Sequence, residues 1–364
     1  MRRVACSMVV VGLAAVAMSG ASLVLADDRD NDRDVPAFII DTDMDNDDAA
    51  AIAYMCQEHL LGHVRLLGVT ITNNGVGLPG KAIKHARCLL KQCGLPGVPV
   101  ADANLPAPNV FPDDILNGIN QTLENVFAGC DESEAPSSTS APDLLERLAD
   151  RGHRKVNLLA TGPLSNVAAV LNRPDNDRDR KHGSFRDHVE ATFIMGGAVH
   201  VGGNLCCGVP DGFDNSQEFN IWIDPAAARD VLHKLRPGSV TVVALDATNF
   251  VPLTERFDTV LQADPRTGAA EFVAAMVADP GVADSVPFGF LFWWDPLAAV
   301  AATTNNVVSY ESDRISVVQS GPSMGALVID PSGDAIRVGV AADQQGFEAR
   351  FLAVLNAARH PHGD

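Results

Sequence analysis

From Pro36 onward, short runs of uninterrupted apolar residues alternate with longer stretches whose apolar positions recur every three or four residues. The first kind reads as strands buried on both faces, the second as helices. The pattern predicts strand 37–40, helix 47–60, strand 64–72, helix 81–92 and strand 98–100. After an irregular stretch it predicts helix 143–150, strand 156–160, helix 164–171 and strand 189–195, with an Ala-rich helix over 297–303. Strict alternation of this kind implies a three-layer α/β/α fold with a mostly parallel, mixed central sheet of Rossmann-like character. Ligands on such sheets bind beyond the C-terminal ends of the strands. Residues 101–140, rich in Pro, Asn and Ser, read as a long loop forming a lid or rim there. The charged run 174–188 reads as a solvated insertion. No repeat or composition break divides residues 35–364, which are expected to form a single domain.

The first strand ends in a concentration of charge. Asp41, Asp43, Asp45, Asp47 and Asp48 place five carboxylates within eight residues, between the apolar run Phe38-Ile39-Ile40 and an Ala-rich helix. Taken singly, each has a plain reading: Asp47 and Asp48 favour a helix N-terminus, and Asp41 or Asp43 caps a turn. As a cluster at the end of a buried strand they repel one another unless a cation or shared protons compensate them. A hard divalent ion with oxygen ligands is the simplest remedy.

Composition narrows the class of partner. Arg2 and Arg3, the apolar run Met8–Met18 and the small residues before Ala26 read as an export signal cut after Ala26. The polar stretch 27–34 reads as a flexible leader. Periplasm or external medium is the expected location, with no membrane span. Losing residues 1–26 moves the net charge from −19 to −21, because Arg2 and Arg3 leave without any acid. Such a chain lacks the basic patch that a nucleic acid backbone requires. Cys56, Cys88, Cys93, Cys130, Cys206 and Cys207 permit disulfides, without spacing that chooses among pairings. Asn120-Gln121-Thr122 is a glycosylation sequon.

Further stretches have the wrong polarity for plain core. Thr161-Gly162-Pro163-Leu164-Ser165-Asn166 follows one predicted strand, and Met195-Gly196-Gly197 ends another, with Gly202-Gly203-Asn204 beyond it. Then come Gln217-Glu218-Phe219-Asn220 and, much later, Phe292-Trp293-Trp294-Asp295-Pro296. Together and in this order they resemble the nucleoside hydrolases, calcium-dependent enzymes that cut the N-glycosidic bond of ribonucleosides. The resemblance covers nearly all of residues 36–358. It looks closest to the subgroup preferring inosine, adenosine and guanosine, on the runs Ala160–Ala168, Ile194–Val199 and Asp246-Ala247-Thr248-Asn249, and on Trp294 directly before Asp295.

The resemblance implies a calcium ion held by Asp43, Asp48, Asp295 and the backbone carbonyl of Thr161. It implies Asp43 as the base that takes a proton from the attacking water. Asp47, Asn204, Glu218 and Asn220 would grip ribose hydroxyls, Asp45 would add a ribose contact, Met195 would line the sugar site and Asp41 would support the loop. The substrate would be a small ribonucleoside, expected to carry a purine, and the assembly a dimer or tetramer. No His stands directly before Asp295, so Trp294 is the candidate to stack on the base and favour its departure, whereas Trp293 reads as core. Two positions depart from the subgroup. Asn73 stands where it carries a catalytic Asp, and Ile115 where a second stacking Trp is expected, with Phe111 the only aromatic nearby. Two other classes share parts of the pattern: a non-catalytic nucleoside- or sugar-binding protein, and an aspartate-nucleophile phosphatase starting from Asp41-Thr42-Asp43.

Overall fold

The computed structural model describes residues 35–150, 155–174, 183–205 and 214–358. The expected signal and leader, and Cys206 and Cys207, lie outside them. Nine strands are described: β1 (Ala37–Thr42), β2 (Arg65–Thr72), β3 (Val100–Ala103), β4 (Val156–Ala160), β5 (Val189–Met195), β6 (Val240–Val243), β7 (Val308–Val317), β8 (Leu327–Ile329) and β9 (Asp334–Ala342). They form one sheet in the order β3-β2-β1-β4-β5-β6-β9-β7-β8. All neighbours from β3 through β9 are parallel, and β7 is antiparallel to both β9 and β8. Strand order reverses direction on either side of β1, so the crevice beyond its C-terminal end lies where such folds bind ligands.

Two apolar cores flank the sheet. On one side pack α1 (Asn46–Leu60), α2 (Lys81–Gln92), α11 (Gly268–Ala278), α13 (Trp294–Thr303) and α14 (Gln344–Leu355). On the other pack α4 (Ala141–Asp150), α5 (Ser165–Leu171) and α8 (Pro225–Lys234). The remaining helices are α3 (Asp113–Val126), α6 (Phe185–His188), α7 (Phe219–Ile223), α9 (Leu245–Thr248), α10 (Glu255–Ala263) and α12 (Pro280–Ala283).

Helix α1 sets the site. Asp45 is its N-cap, and the Asp45 N–H donates to Asp48 Oδ2 at 3.0 Å, which completes a capping box. Every residue from Asp48 to Glu58 is buried, so small alanines let the sheet and α13 close around it. The turn feeding α1 is unusual, because buried Met44 has φ 63°, the left-handed region that bulky residues avoid. That strain lies between Asp43 and Asp45, where the chain must aim successive carboxylates to one place.

The sequence reading of 101–140 as loop is corrected here. The segment holds α3, whose Leu116 and Leu123 are buried, and whose later turns reach the cavity described below. Strand β3 is displaced to Val100–Ala103 because its ladder with β2 runs from Val69↔Val100 to Thr72↔Ala103. The sequon Asn120 is buried within α3, where Nδ2 donates to the carbonyls of Val76 and Leu116, so it is not available as an acceptor. Cys88 and Cys130 form a disulfide, whereas Cys56 and Cys93 are buried thiols.

Candidate active site

A cavity of about 390 Å³ opens beyond the C-terminal ends of β1, β4 and β5. Among the described residues its wall carries six carboxylates, from Asp43, Asp45, Asp47, Asp48, Glu218 and Asp295, and no Lys, Arg or His. The opposite part is apolar and aromatic, with Phe111, Phe219, Leu253, Leu291, Phe292 and Trp294.

Asp43, Asp48 and Asp295 are all at most 3% exposed. The Val76 N–H donates to Asp43 Oδ2 at 2.7 Å, and Asp43 shares a hydrogen bond with Asp48. The hydroxyls of Thr42 and Thr161 both donate to Asp48 Oδ1, the latter at 2.6 Å. The Asp295 N–H donates to Asp47 Oδ2 at 3.2 Å, which links the start of α13 to the start of α1. Burial, then mutual repulsion, pushes Asp43 and Asp295 well above the usual carboxylate range. Asp47 shifts the same way for the same reasons. Asp45 rises to about 7, chiefly through burial, and Asp48 rises too, although its hydroxyl partners pull it back. Without added positive charge, this cluster holds protons that water would remove.

The donor set suits a hard cation. One oxygen from each of Asp47, Asp48 and Asp295 lies within 4.8 Å of the others, and Asp295 Oδ1 is buried without a hydrogen-bond partner. Carboxylate-only ligation of this kind matches the oxygen preference of calcium or magnesium. Two expected ligands, Asp48 and Asp295, are in this trio with Asp47, which is expected on ribose; Asp43, the third expected carboxylate ligand, lies against Asp48. The Thr161 carbonyl is beside them and accepts from Asn220 Nδ2 at 3.1 Å.

The other expected contacts come together from distant elements. Glu218 caps α7: its Oε1 accepts from Asn220 N, and its Oε2 accepts from the Gly197 and Ile221 N–H groups. Burial raises its carboxyl, opposed by those three donors. Asn220 Nδ2 also reaches Met195 O at 3.3 Å, so sheet end and α7 are tied at the cavity floor. Asn204, at the exposed mouth, accepts from Phe219 N at 3.0 Å. Asp41 supports the site from behind: Thr70 Oγ1 and Asn166 Nδ2 donate to it, and burial lifts it to about 7. Trp294 lines the cavity, tilted against Phe292 at 5.6 Å between centroids. Trp293 is core, packed on Phe257, Phe347 and Phe351, although part of it reaches the cavity wall.

Asn73 does not reach the cavity, contrary to the catalytic place expected for it. Its N–H continues the ladder to Ala103 O, and its Nδ2 donates to Asp102 and Asn104, so it is held on the β3 side. Ile115 is also outside the wall; Gly118, Ile119 and Thr122, one to two turns further along α3, line it instead. Phe111 does line the wall, edge-on to Phe219. The sequence reading missed the segment Gly75-Val76-Gly77, which closes on Asp43. A Cβ at Gly75 would lie 1.9 Å from Asp43 Oδ2, and one at Gly77 would lie 2.3 Å from Asp43 O. Two glycines flanking a valine just past a strand end were the available signal. It also missed the wall between Met276 and Leu291, which no local motif marks.

The family model of inosine-uridine preferring nucleoside hydrolases matches residues 38–349, and the chain belongs to that family. Among curated relatives, the pyrimidine-specific ribonucleoside hydrolase RihA of Shewanella oneidensis is 28% identical over 216 residues, 58% of this chain and 59% of that protein. Uridine nucleosidase 1 of Arabidopsis thaliana is 28% identical over 80% of this chain and 81% of its own. The chain thus spans under two thirds of the first relative and about four fifths of the second. The crystal structure of an inosine-uridine preferring nucleoside hydrolase from Bacillus anthracis superposes with a TM-score of 0.72 at 20% identity, covering 88% of this chain and 99% of that one. At that identity the likeness establishes the shared α/β fold.

Proposed function

We propose that this protein is a calcium-dependent ribonucleoside hydrolase that splits the N-glycosidic bond to free base and ribose. The observation that carries the reading is the cavity wall itself, with six carboxylates and no cation at one end and an aromatic surface at the other. The polar end suits a metal and a polyhydroxylated sugar; the aromatic end suits a planar base.

In this reading Asp43, Asp48, Asp295 and the Thr161 carbonyl would hold the ion, with Asp47 close enough to join them. Bound there, a calcium ion would supply charge compensation and Lewis acidity. Asp43, with one oxygen fixed by the Val76 N–H, takes the proton of the attacking water. Glu218, Asn220, Asn204 and Asp45 hold the ribose hydroxyls, and contacts that tighten as the sugar becomes cation-like favour the transition state over the substrate. Trp294 and Phe292 receive the base. No His lines the cavity, so the base must leave without an imidazole acid from the described residues. Purines suit that route, since stacking on Trp294 can favour their protonation; both curated relatives are named for pyrimidine or uridine substrates, which makes base ranking the discriminating measurement. Residues 1–26 would direct export, and the Cys88–Cys130 disulfide supports an oxidising location.

The test is ribose release from inosine, guanosine, adenosine, uridine and cytidine, with calcium and with chelator, alongside Asp43→Ala. Calcium-dependent release, lost in the variant, is expected, with inosine ahead of uridine. A folded, calcium-loaded protein that releases nothing from any of the five would instead be a binder.

A further inference from the structure

On the opposite side of β5 from the carboxylate cluster's elements, strand β7 breaks its own pattern. Residues 311, 313, 315 and 317 share one face of the strand. Ile315 and Val317 are buried in the sheet's second core, and Glu311 and Asp313 pair across the ladder with buried Val338 and Ile336. Two carboxylates thus continue a face that is otherwise apolar.

No Lys or Arg among the described residues forms an ion pair with either acid. Of the strand cations, Arg314 donates to the Gly333 carbonyl, and Arg337 pairs with Ser312 in the ladder and stacks on Tyr310 at 4.1 Å, which places it on the other face. The group that does face the acids is His200. Its Nε2 lies 3.7 Å from Asp313 Oδ2, and a ligand atom from each of His200, Glu311 and Asp313 lies within 4.8 Å of the others. Asp313 Oδ2 is itself buried with no hydrogen-bond partner. A separation of 3.7 Å is too long for a hydrogen bond. It is close to the roughly 3.3 Å that separates two ligands at about 2.0 Å from a tetrahedral ion.

The backbone that carries the histidine is also held in place. The buried Asp246 carboxylate accepts from the Val199 and His200 N–H groups at 2.8 and 2.7 Å, and Leu245 N donates to Gly197 O at 2.8 Å. Two carboxylates on a strand and an imidazole on a clamped loop form a preorganised three-point donor set.

We propose that His200, Glu311 and Asp313 form a second metal site, separate from the all-oxygen cluster and selective for a borderline transition-metal ion such as Zn²⁺. The imidazole supplies the selectivity, since nitrogen donors suit zinc where all-oxygen sites suit calcium or magnesium. The bound ion ties β7 to the loop that continues to Asn204 at the mouth of the cavity.

The test is titration of Zn²⁺ into the full chain, first stripped with chelator and then saturated with Ca²⁺ to fill the carboxylate cluster. One Zn²⁺ per chain is expected to bind and to raise the melting temperature. His200→Ala and Asp313→Asn should each weaken that binding by at least the roughly 10–100-fold that loss of an outer-shell partner costs. Asp295→Asn should leave it intact. All three positions of the site are at the surface or its margin, so circular dichroism and calcium binding should match wild type in the variants. Absence of Zn²⁺ binding to the calcium-saturated protein, or binding that survives His200→Ala and falls in Asp295→Asn, would overturn the proposal.

Discussion

At Gly75 an added Cβ would sit 1.9 Å from Asp43 Oδ2, and at Gly162 it would sit 2.6 Å from the Asp43 nitrogen. Asp43 therefore has its rotamer chosen by two backbone segments that can approach only because they lack side chains. Gly75→Ala is expected to keep the fold, at a cost of about 1–3 kcal/mol from overpacking. On the proposed reaction, with Asp43 as base, it should nevertheless lower kcat/KM for nucleoside cleavage by about 10²-fold, because displacing the base by an ångström costs that much. A steady-state assay beside a thermal melt separates the two effects; wild-type turnover from Gly75→Ala would show that Asp43 has slack. At this scale the sequence was informative wherever chemistry is concentrated locally. Five Asp residues in eight announce an ion site, and Trp294-Asp295 announces a wall. Asn73 misled because a position after a strand does not say which way the chain turns, and here the ladder to Ala103 carries it away from the cavity.

Helix α3, set in a stretch whose Pro, Asn and Ser content reads as loop, shows the same limit one level up. Prolines and asparagines around α3 hide a regular apolar series, Leu116, Ile119, Leu123 and Val126, which has helical spacing. That helix forms a wall of the cavity and is fastened to α2 by the Cys88–Cys130 disulfide and by His85. The imidazole is buried, stacks on Phe127 and reaches Glu124 Oε1 at 3.0 Å. Burial lowers its pKa below the ordinary 6.5, although Glu124 works the other way. The unfolded chain therefore takes up the proton first as pH falls. Stability from this group is present above pH 6.5 and is lost on acidification through that value. His85→Gln should remove this dependence, so its melting temperature should fall less than that of wild type between about pH 7.5 and pH 5.5. Parallel pH profiles for the two proteins would count against the assignment.

For the whole molecule, the carboxylate cluster joins the first strand to a helix near the C-terminus, with Asp47 and Asp295 in contact across 248 residues of sequence. The proposed calcium site predicts that a chelator lowers the melting temperature and that calcium at a hundred times its Kd stabilises the fold by about 2.7 kcal/mol. Melting curves across a calcium series measure this directly; a flat midpoint would contradict a native-state ion site.

The alternation of strands and helices, the acidic turn and the order of the later motifs were all legible from the chain, because each depends on residues near one another in sequence. Hydrophobic period and local charge density survive without knowledge of the fold. Only tertiary structure decided that Asp47 converges with Asp48 and Asp295, that Asn73 faces β3, and that Gly118, Ile119 and Thr122 of α3, rather than Ile115, line the cavity. It also set Glu311 and Asp313 opposite His200. Each of these depends on where a strand end or a helix turn points after packing, and that direction is fixed by the neighbours it meets rather than by its own residues.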